Sequence, residues 1–144
     1  MAIRTADAEW KGDLRSGTGS FSGASGQLGG AYSFESRFTD SGGTNPEELV
    51  AAAQAACYSM QLAAQLAQDG TPAESVNTEA RIQILKQGDH FAITRIDLVS
   101  VGRVPGIDDA TFQETAKAAK DACLISRALG AIPEHNLEAR LEAG

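Results

Sequence analysis

The sequence predicts a fold of the α+β class, and three observations predict it. Between Ala8 and Phe38 five aromatic residues alternate with seven glycines, the composition of short strands joined by tight turns. Two later stretches carry helix start signals and apolar residues at helical spacing, and between them lie two runs joined by turn residues that alternate in places between apolar and polar. The order is strands, helix, hairpin, helix, tail, without the regular alternation of a doubly wound sheet. At 144 residues the expectation is one domain, 1–144, large enough to enclose a core. There is no internal repeat and no low-complexity linker.

The N-terminal strands include a G-T-G at Gly17 to Gly19. No lysine-serine pair and no immediate helix follows it, so turn chemistry accounts for it better than a phosphate loop. The segment SGGTNPEEL then starts the first helix: Asn45 caps, Pro46 suits the first helical position, and Glu48 falls three residues after the cap. The helix is expected to reach Asp69-Gly70. VNTEARIQIL, the turn QGDH and FAITRIDLVSV read as a hairpin of two long strands ended by Pro105-Gly106. A second helix is expected from Asp108 to about Leu129, with Phe112, Ala116, Ala119 and Cys123 on one stripe. Ile132-Pro133 breaks it, and HNLEARLE forms a closing strand or tail.

Charge narrows the function. With 12 basic against 19 acidic residues and a formal charge of −7, the chain offers no electrostatic footprint for nucleic acid or anionic lipid. The run Leu49 to Gln68 has no charge, but its alanines and four glutamines are too weakly hydrophobic for a membrane span. MAIRTADAEW lacks the apolar core and cleavage site of a secretory signal, so a cytoplasmic location is expected. Two cysteines are too few for a disulfide scaffold, and any pairing between them is expected to be chemical and transient. His90 and His135 lack paired ligand spacing, read as surface residues, and give little ground for a metal site or for a hydrolase with a histidine base.

Cys57 is the residue of interest. At 100° per residue, Gln54, Gln61, Gln65 and Gln68 form a polar stripe that includes Cys57, while Leu49, Ala53, Ala56, Met60, Ala63 and Ala67 form an apolar one. A lone helical cysteine is ordinarily a small buried hydrophobe, and a binding or structural module with two core cysteines is the alternative to be weighed. Its place on a polar, uncharged stripe favours a pocket instead. A free thiol has a pKa of about 8.5, and Cys57 lies too deep in the helix for the N-terminal amides to help. Its counter-ion must come from elsewhere in the fold. Phe21, Tyr58, Met60 and Leu62 are apolar candidates for the pocket.

TNPEELVAAAQAACYSM, preceded by Arg37-Phe38 and followed by ACLIS, resembles the OsmC/Ohr family of thiol-dependent peroxidases, the OsmC branch more nearly. AEWKGDLRSGTG, FAITRIDL and PGID extend the resemblance over nearly the whole chain. It implies an OsmC-like fold with antiparallel sheets packed around two central helices, in an intertwined homodimer that reduces organic hydroperoxides to alcohols. Carried over by motif, Cys57 is peroxidatic and Cys123 resolving, Arg37 holds the thiolate, and Glu47 orients Arg37. The reductant implied is a dithiol such as dihydrolipoamide, with no metal, haem or flavin. Gln54 stands where relatives commonly have histidine, and Cys123-Leu124 where they have cysteine-proline. Helix geometry adds that Glu47 and Cys57 are about 15 Å apart along the axis, too far to grip one guanidinium. The expectation is that Glu47 serves the Cys57 of a partner subunit.

Overall fold

A computed structural model describes residues 1–143. They form two compact units, one ending at Leu49 and the other beginning at Val50. In the first, β1 (Ala6–Lys11), β2 (Thr18–Gly23) and β3 (Gly29–Tyr32) make an antiparallel sheet in the order β1-β2-β3. Trp10, Phe21 and Tyr32 stack across it, with centroid separations of 5.6 and 6.1 Å. The Tyr32 ring lies on Gly19, where an added Cβ would stand 2.4 Å from it. That close approach, rather than phosphate binding, explains the G-T-G. Past Tyr32 the chain forms a single 3₁₀ turn, Glu35–Arg37, within the stretch to Phe38 that the sequence reads as short strands joined by turns.

Helix α1 (Pro46–Gln68) begins and ends where the sequence places it. Asn45 Oδ1 accepts the amide of Glu48 at 2.7 Å, satisfying one of the free donors of the first turn. The Glu48 carboxylate accepts from the Thr44 hydroxyl, one residue before the cap. The hairpin is β4 (Ser75–Gln87) and β5 (His90–Arg103), closed by the two-residue turn Gly88-Asp89, with Gly88 at a φ of 65° that glycine adopts without strain. The C-terminal segment is a full strand, β6 (Glu134–Glu142), and it runs parallel to β5. The second sheet, β4-β5-β6, is therefore mixed rather than wholly antiparallel. No helix among the described residues is long and apolar enough to cross a membrane.

The second helical region departs from expectation. Helix α2 is Asp109–Ala122, capped by the Asp108 side chain, and a separate helix, α3, covers Leu124–Ala128. Cys123 is the break between them, with φ −59° and ψ 124°. It does not continue the helix face of Phe112, Ala116 and Ala119.

The core of the second unit joins Tyr58, Leu62 and Leu66 of α1, Ile96 and Leu98 of β5, Val104, Phe112, Ala116 and Ala119 of α2, and Cys123. Each large aliphatic or aromatic side chain in it contributes roughly 1.5–3 kcal/mol. A hydroxyl chain from Ser59 through Thr78 to the buried Ser100, at 2.8 and 3.0 Å, ties α1 to the sheet.

The buried face of α1 is Gln54, Tyr58, Leu62 and Leu66, spaced by four, and the expected apolar stripe is turned outward: Ala53, Ala56 and Ala67 are exposed and Met60 is 71% exposed. Alanine presents so little surface that it does not define a core face, so the large side chains decide. Tyr58 and Leu62 are core rather than pocket residues. His135, expected on the surface, is half-buried, with its Nε2 buried and unpartnered.

Two tests follow from this packing. A Cβ at Gly102 would lie 2.6 Å from the buried Phe112 ring, so Gly102→Ala is expected to cost about 1–3 kcal/mol through overpacking, read as a lower urea midpoint. Burial, and next the charge of Lys120, pull His135 below its ordinary value of 6.5. The folded state therefore binds its proton less readily than the unfolded chain, and the stability this contributes is full above that value and lost as pH falls below it. Urea midpoints between about pH 7 and pH 5 should fall less steeply for His135→Leu than for the wild type.

Candidate active site

Arg37 owes its position to a local hydroxyl exchange. Ser36 Oγ accepts the Ser33 amide at 3.0 Å, Ser33 Oγ accepts the Ser36 amide at 3.1 Å, and Ser36 Oγ donates to the carbonyl of Thr44 at 2.8 Å. Asn45, besides capping α1, donates through Nδ2 to the Ser36 carbonyl at 2.9 Å. These bonds bring the 3₁₀ turn against the first turn of α1. Arg37 Nε then donates to both carboxylate oxygens of Glu47, at 3.0 and 3.2 Å, and Arg37 Nη2 donates to the same group. The hydrogen bonds to Glu47 outweigh burial and raise the Arg37 pKa above its ordinary value. The Glu47 side chain is only 10% exposed and that of Arg37 32%, so the guanidinium keeps a face open beyond its pair.

In the same unit, Ala8, Phe21, Tyr32, Asn45, Pro46 and Leu49 line an apolar cavity of about 230 Å³. Phe21 is thus the one member of the proposed pocket set that lines it, while Met60 is exposed. A larger cleft, about 710 Å³, runs between Glu74, Val104, Pro105 and Leu141 but holds no nucleophile.

In the second unit the two cysteines, 66 positions apart, come together as free thiols, Cys57 half-buried and Cys123 fully buried. The helix break at Cys123 makes this possible. Extended backbone there releases the amides of Leu124 and Ile125, which donate to Cys57, while the Cys123 amide closes α2 on Ala119 at 2.9 Å. That extended geometry is the one a following proline would impose, and Cys123 adopts it with Leu124 in that place.

The thiols titrate as a pair. Burial pushes Cys57 up, the Ile125 amide opposes it, and the neighbouring Cys123 raises it further. Burial also works against Cys123, but hydrogen bonds from the Ser126 hydroxyl and amide, and then from Cys57, hold it below its ordinary value. Neutral donors thus favour charge at Cys123, while burial disfavours it at Cys57. Among the described residues of this unit, the groups that bear on Cys57 are backbone amides and the second thiol, none of them a cation.

Sequence reasoning identified Cys57, Cys123, Arg37 and Glu47, and the structure joins them as two pairs, Arg37 with Glu47 in the first unit and Cys57 with Cys123 in the second. It missed Ser36, whose signal was the S-x-x-S spacing with Ser33, and Ser126, which lies one helical turn after Cys123. Gln54, read as part of a polar stripe, proves fully buried against both Cys123 and Ser126.

Residues 39–138 match the model of the family described as OsmC-like protein. The chain is 44% identical over 125 residues to the peroxiredoxin OsmC of Escherichia coli, covering 86% of this chain and 87% of that protein. Among solved structures, it is similar to an organic hydroperoxide resistance protein of Elizabethkingia anophelis, with a TM-score of 0.74, 18% identity and 99% coverage of both chains. OhrB of Bacillus subtilis, also an organic hydroperoxide resistance protein, gives a TM-score of 0.66 at 23% identity, covering 96% of this chain and 98% of that one. At these identities the structural matches speak for the α+β fold.

A double-mutant cycle tests the ion pair. Arg37→Met and Glu47→Gln, singly and together, should give a coupling of about 1 kcal/mol in thermal or urea unfolding, less than a fully desolvated pair because Arg37 remains partly in water.

Proposed function

Because the chain belongs to the OsmC-like protein family, we propose that it is a peroxidase that reduces organic hydroperoxides to alcohols in defence against oxidative stress, with Cys57 attacking and Cys123 resolving. The observation that carries this reading is the thiol pair: one partly accessible sulfur, one buried, both reduced and within hydrogen-bonding reach. The name of the Escherichia coli relative supports the same chemistry. The Cys57 thiolate attacks one peroxide oxygen, an S–O bond forms as the O–O bond breaks, and the leaving alkoxide takes a proton to become the alcohol. Cys123, as thiolate, then attacks the Cys57 sulfur; the S–S bond forms, the S–O bond breaks, and hydroxide leaves with a proton as water. A dithiol such as dihydrolipoamide returns the disulfide to two thiols.

In this reading Arg37 supplies the positive charge that Cys57 lacks and polarises the peroxide, and Glu47 fixes the planar guanidinium by its two-oxygen grip. The apolar cavity beside Pro46 suits alkyl, aryl or lipid hydroperoxides better than strongly hydrated hydrogen peroxide. Residues 1–144 act as one OsmC-like domain, a view supported by the family match, which runs across the boundary between the two units. The protein works as a homodimer in the cytoplasm. The outward side of α1, with its row of alanines and the exposed Met60, is apolar surface suited to a second copy, and each Arg37-Glu47 pair serves the Cys57 of that copy.

Peroxide consumption with dihydrolipoamide should be abolished in Cys57→Ser, whereas Cys123→Ser should complete a first turnover and then stall. After one equivalent of cumene hydroperoxide, mass spectrometry should find the wild type lighter by two hydrogens through a Cys57-Cys123 disulfide. Full activity in Cys57→Ser would reject the reading.

Subunit complementation checks the exchange across the dimer. Heterodimers of Cys57→Ser with Arg37→Met retain one complete site if Arg37 acts on the partner's thiol, so activity should reappear on mixing two inactive variants. No recovery would assign Arg37 to the thiol of its own chain.

A further inference from the structure

Gln54 is completely buried, yet it stands outside the apolar core cluster and is neither of the two thiols. Its Nε2 donates to Ser126 Oγ at 2.8 Å and approaches Cys123 Sγ at 3.9 Å. Its Oε1 is equally buried and has no hydrogen-bond partner. An orphaned acceptor in the interior is destabilising, and leucine or methionine would fill the position without one. The placement favours what the amide nitrogen does over what the side chain contributes to stability.

We propose that Gln54 is a positioning residue for the resolving step, one that directs the Ser126 hydroxyl proton onto Cys123 Sγ and so favours the thiolate that closes the disulfide. The role of Cys123 in that step rests on the peroxidase reading above; the hydrogen-bond direction does not. A hydroxyl has one proton and two lone pairs. Because the Gln54 N–H occupies a lone pair of Ser126 Oγ, the Ser126 proton is not needed by Gln54 and is left for the sulfur. Donors then converge on Cys123 from the Gln54 amide, the Ser126 hydroxyl and the Ser126 and Ile125 backbone. None of them carries a charge, so the arrangement works without a titrating partner of its own.

Among the described residues, the titratable groups that bear on Cys123 are Cys57 and Tyr58, both from α1. Tyr58 donates its hydroxyl proton to the Ala116 carbonyl at 3.0 Å, and burial keeps it neutral. Ser126 also borders a shallow cleft lined by Lys120, Asp121, Arg127 and His135. In the closing step the Cys123 sulfur must be a thiolate before it attacks the Cys57 sulfur. Hydroxide leaves as the S–S bond forms and takes up a proton to become water.

The test isolates Cys123 in a Cys57→Ser background and follows its ultraviolet thiolate absorbance with pH. Adding Gln54→Met or Ser126→Ala should raise the midpoint by about one unit, a tenfold loss of thiolate at a given pH. Gln54→Glu should raise it further, since a carboxylate draws the Ser126 proton to itself. Gln54→Met combined with Ser126→Ala should move it by less than the sum of the two single shifts, because part of what Gln54 does passes through the Ser126 hydroxyl. With Cys57 present, rapid-quench trapping should find disulfide closure about tenfold slower relative to sulfenate formation in Gln54→Met. A midpoint unmoved in both Gln54 variants, with only the melting temperature lowered, overturns the proposal and leaves the peroxidase reading intact. Peroxide consumption surviving in Cys57→Ser overturns the peroxidase reading and leaves the titration standing.

Discussion

The interruption of the helical backbone at Cys123 is the constraint on which the second unit's thiol pair depends. A continuous helix from Asp108 to Leu129 would commit the amides of Leu124, Ile125 and Ser126 to its own carbonyls and hold the sulfur on a side face. With Cys123 extended, α2 ends on its amide and the next three amides open a new turn without intrahelical partners. Those donors surround the thiol pair. The same break seats Ser126 within reach of Gln54 on α1, so a change of two backbone dihedrals organises contacts from both helices.

A division of electrostatic labour accompanies that geometry. The neutral donors around Cys123 hold charge there, while burial works against charge on Cys57. The opposite demand, a thiolate at Cys57, is met in the proposed mechanism by Arg37, a charge that never titrates under physiological conditions. The first unit fixes that guanidinium through a single short turn: two serine hydroxyls, a dual-purpose Asn45 and a carboxylate with both oxygens engaged. Much of this unit's sheet is exposed, and local hydrogen bonds rather than a large core define the site.

The cap of α1, the turn at Gly88-Asp89 and the end of the hairpin at Pro105 were legible because each depends on local chemistry: a side chain that satisfies its neighbours' amides, a glycine that accepts a positive φ, a ring that cannot donate. A motif singled out the two cysteines, Arg37 and Glu47, and the structure pairs Arg37 with Glu47 and Cys57 with Cys123. The orientation of α1 was not legible. Its alanines allow either side to be inward, and the choice fell to Tyr58, Leu62 and Leu66, whose bulk fills the space between the sheet and α2. The parallel course of β6 was equally hidden, because alternation of apolar and polar residues states that a strand has two faces and nothing about its direction.

By itself the sequence determined the class of fold, the starts of its main helices and the family, since these rest on propensities and spacings within a few turns of chain. Tertiary structure alone decided that Cys123 would be a break rather than a helix face and that Gln54 would be buried with one end unpaired. Those outcomes depend on which groups compete for the same space and the same protons when segments some seventy positions apart come together. No local pattern in the chain encodes the result of that competition.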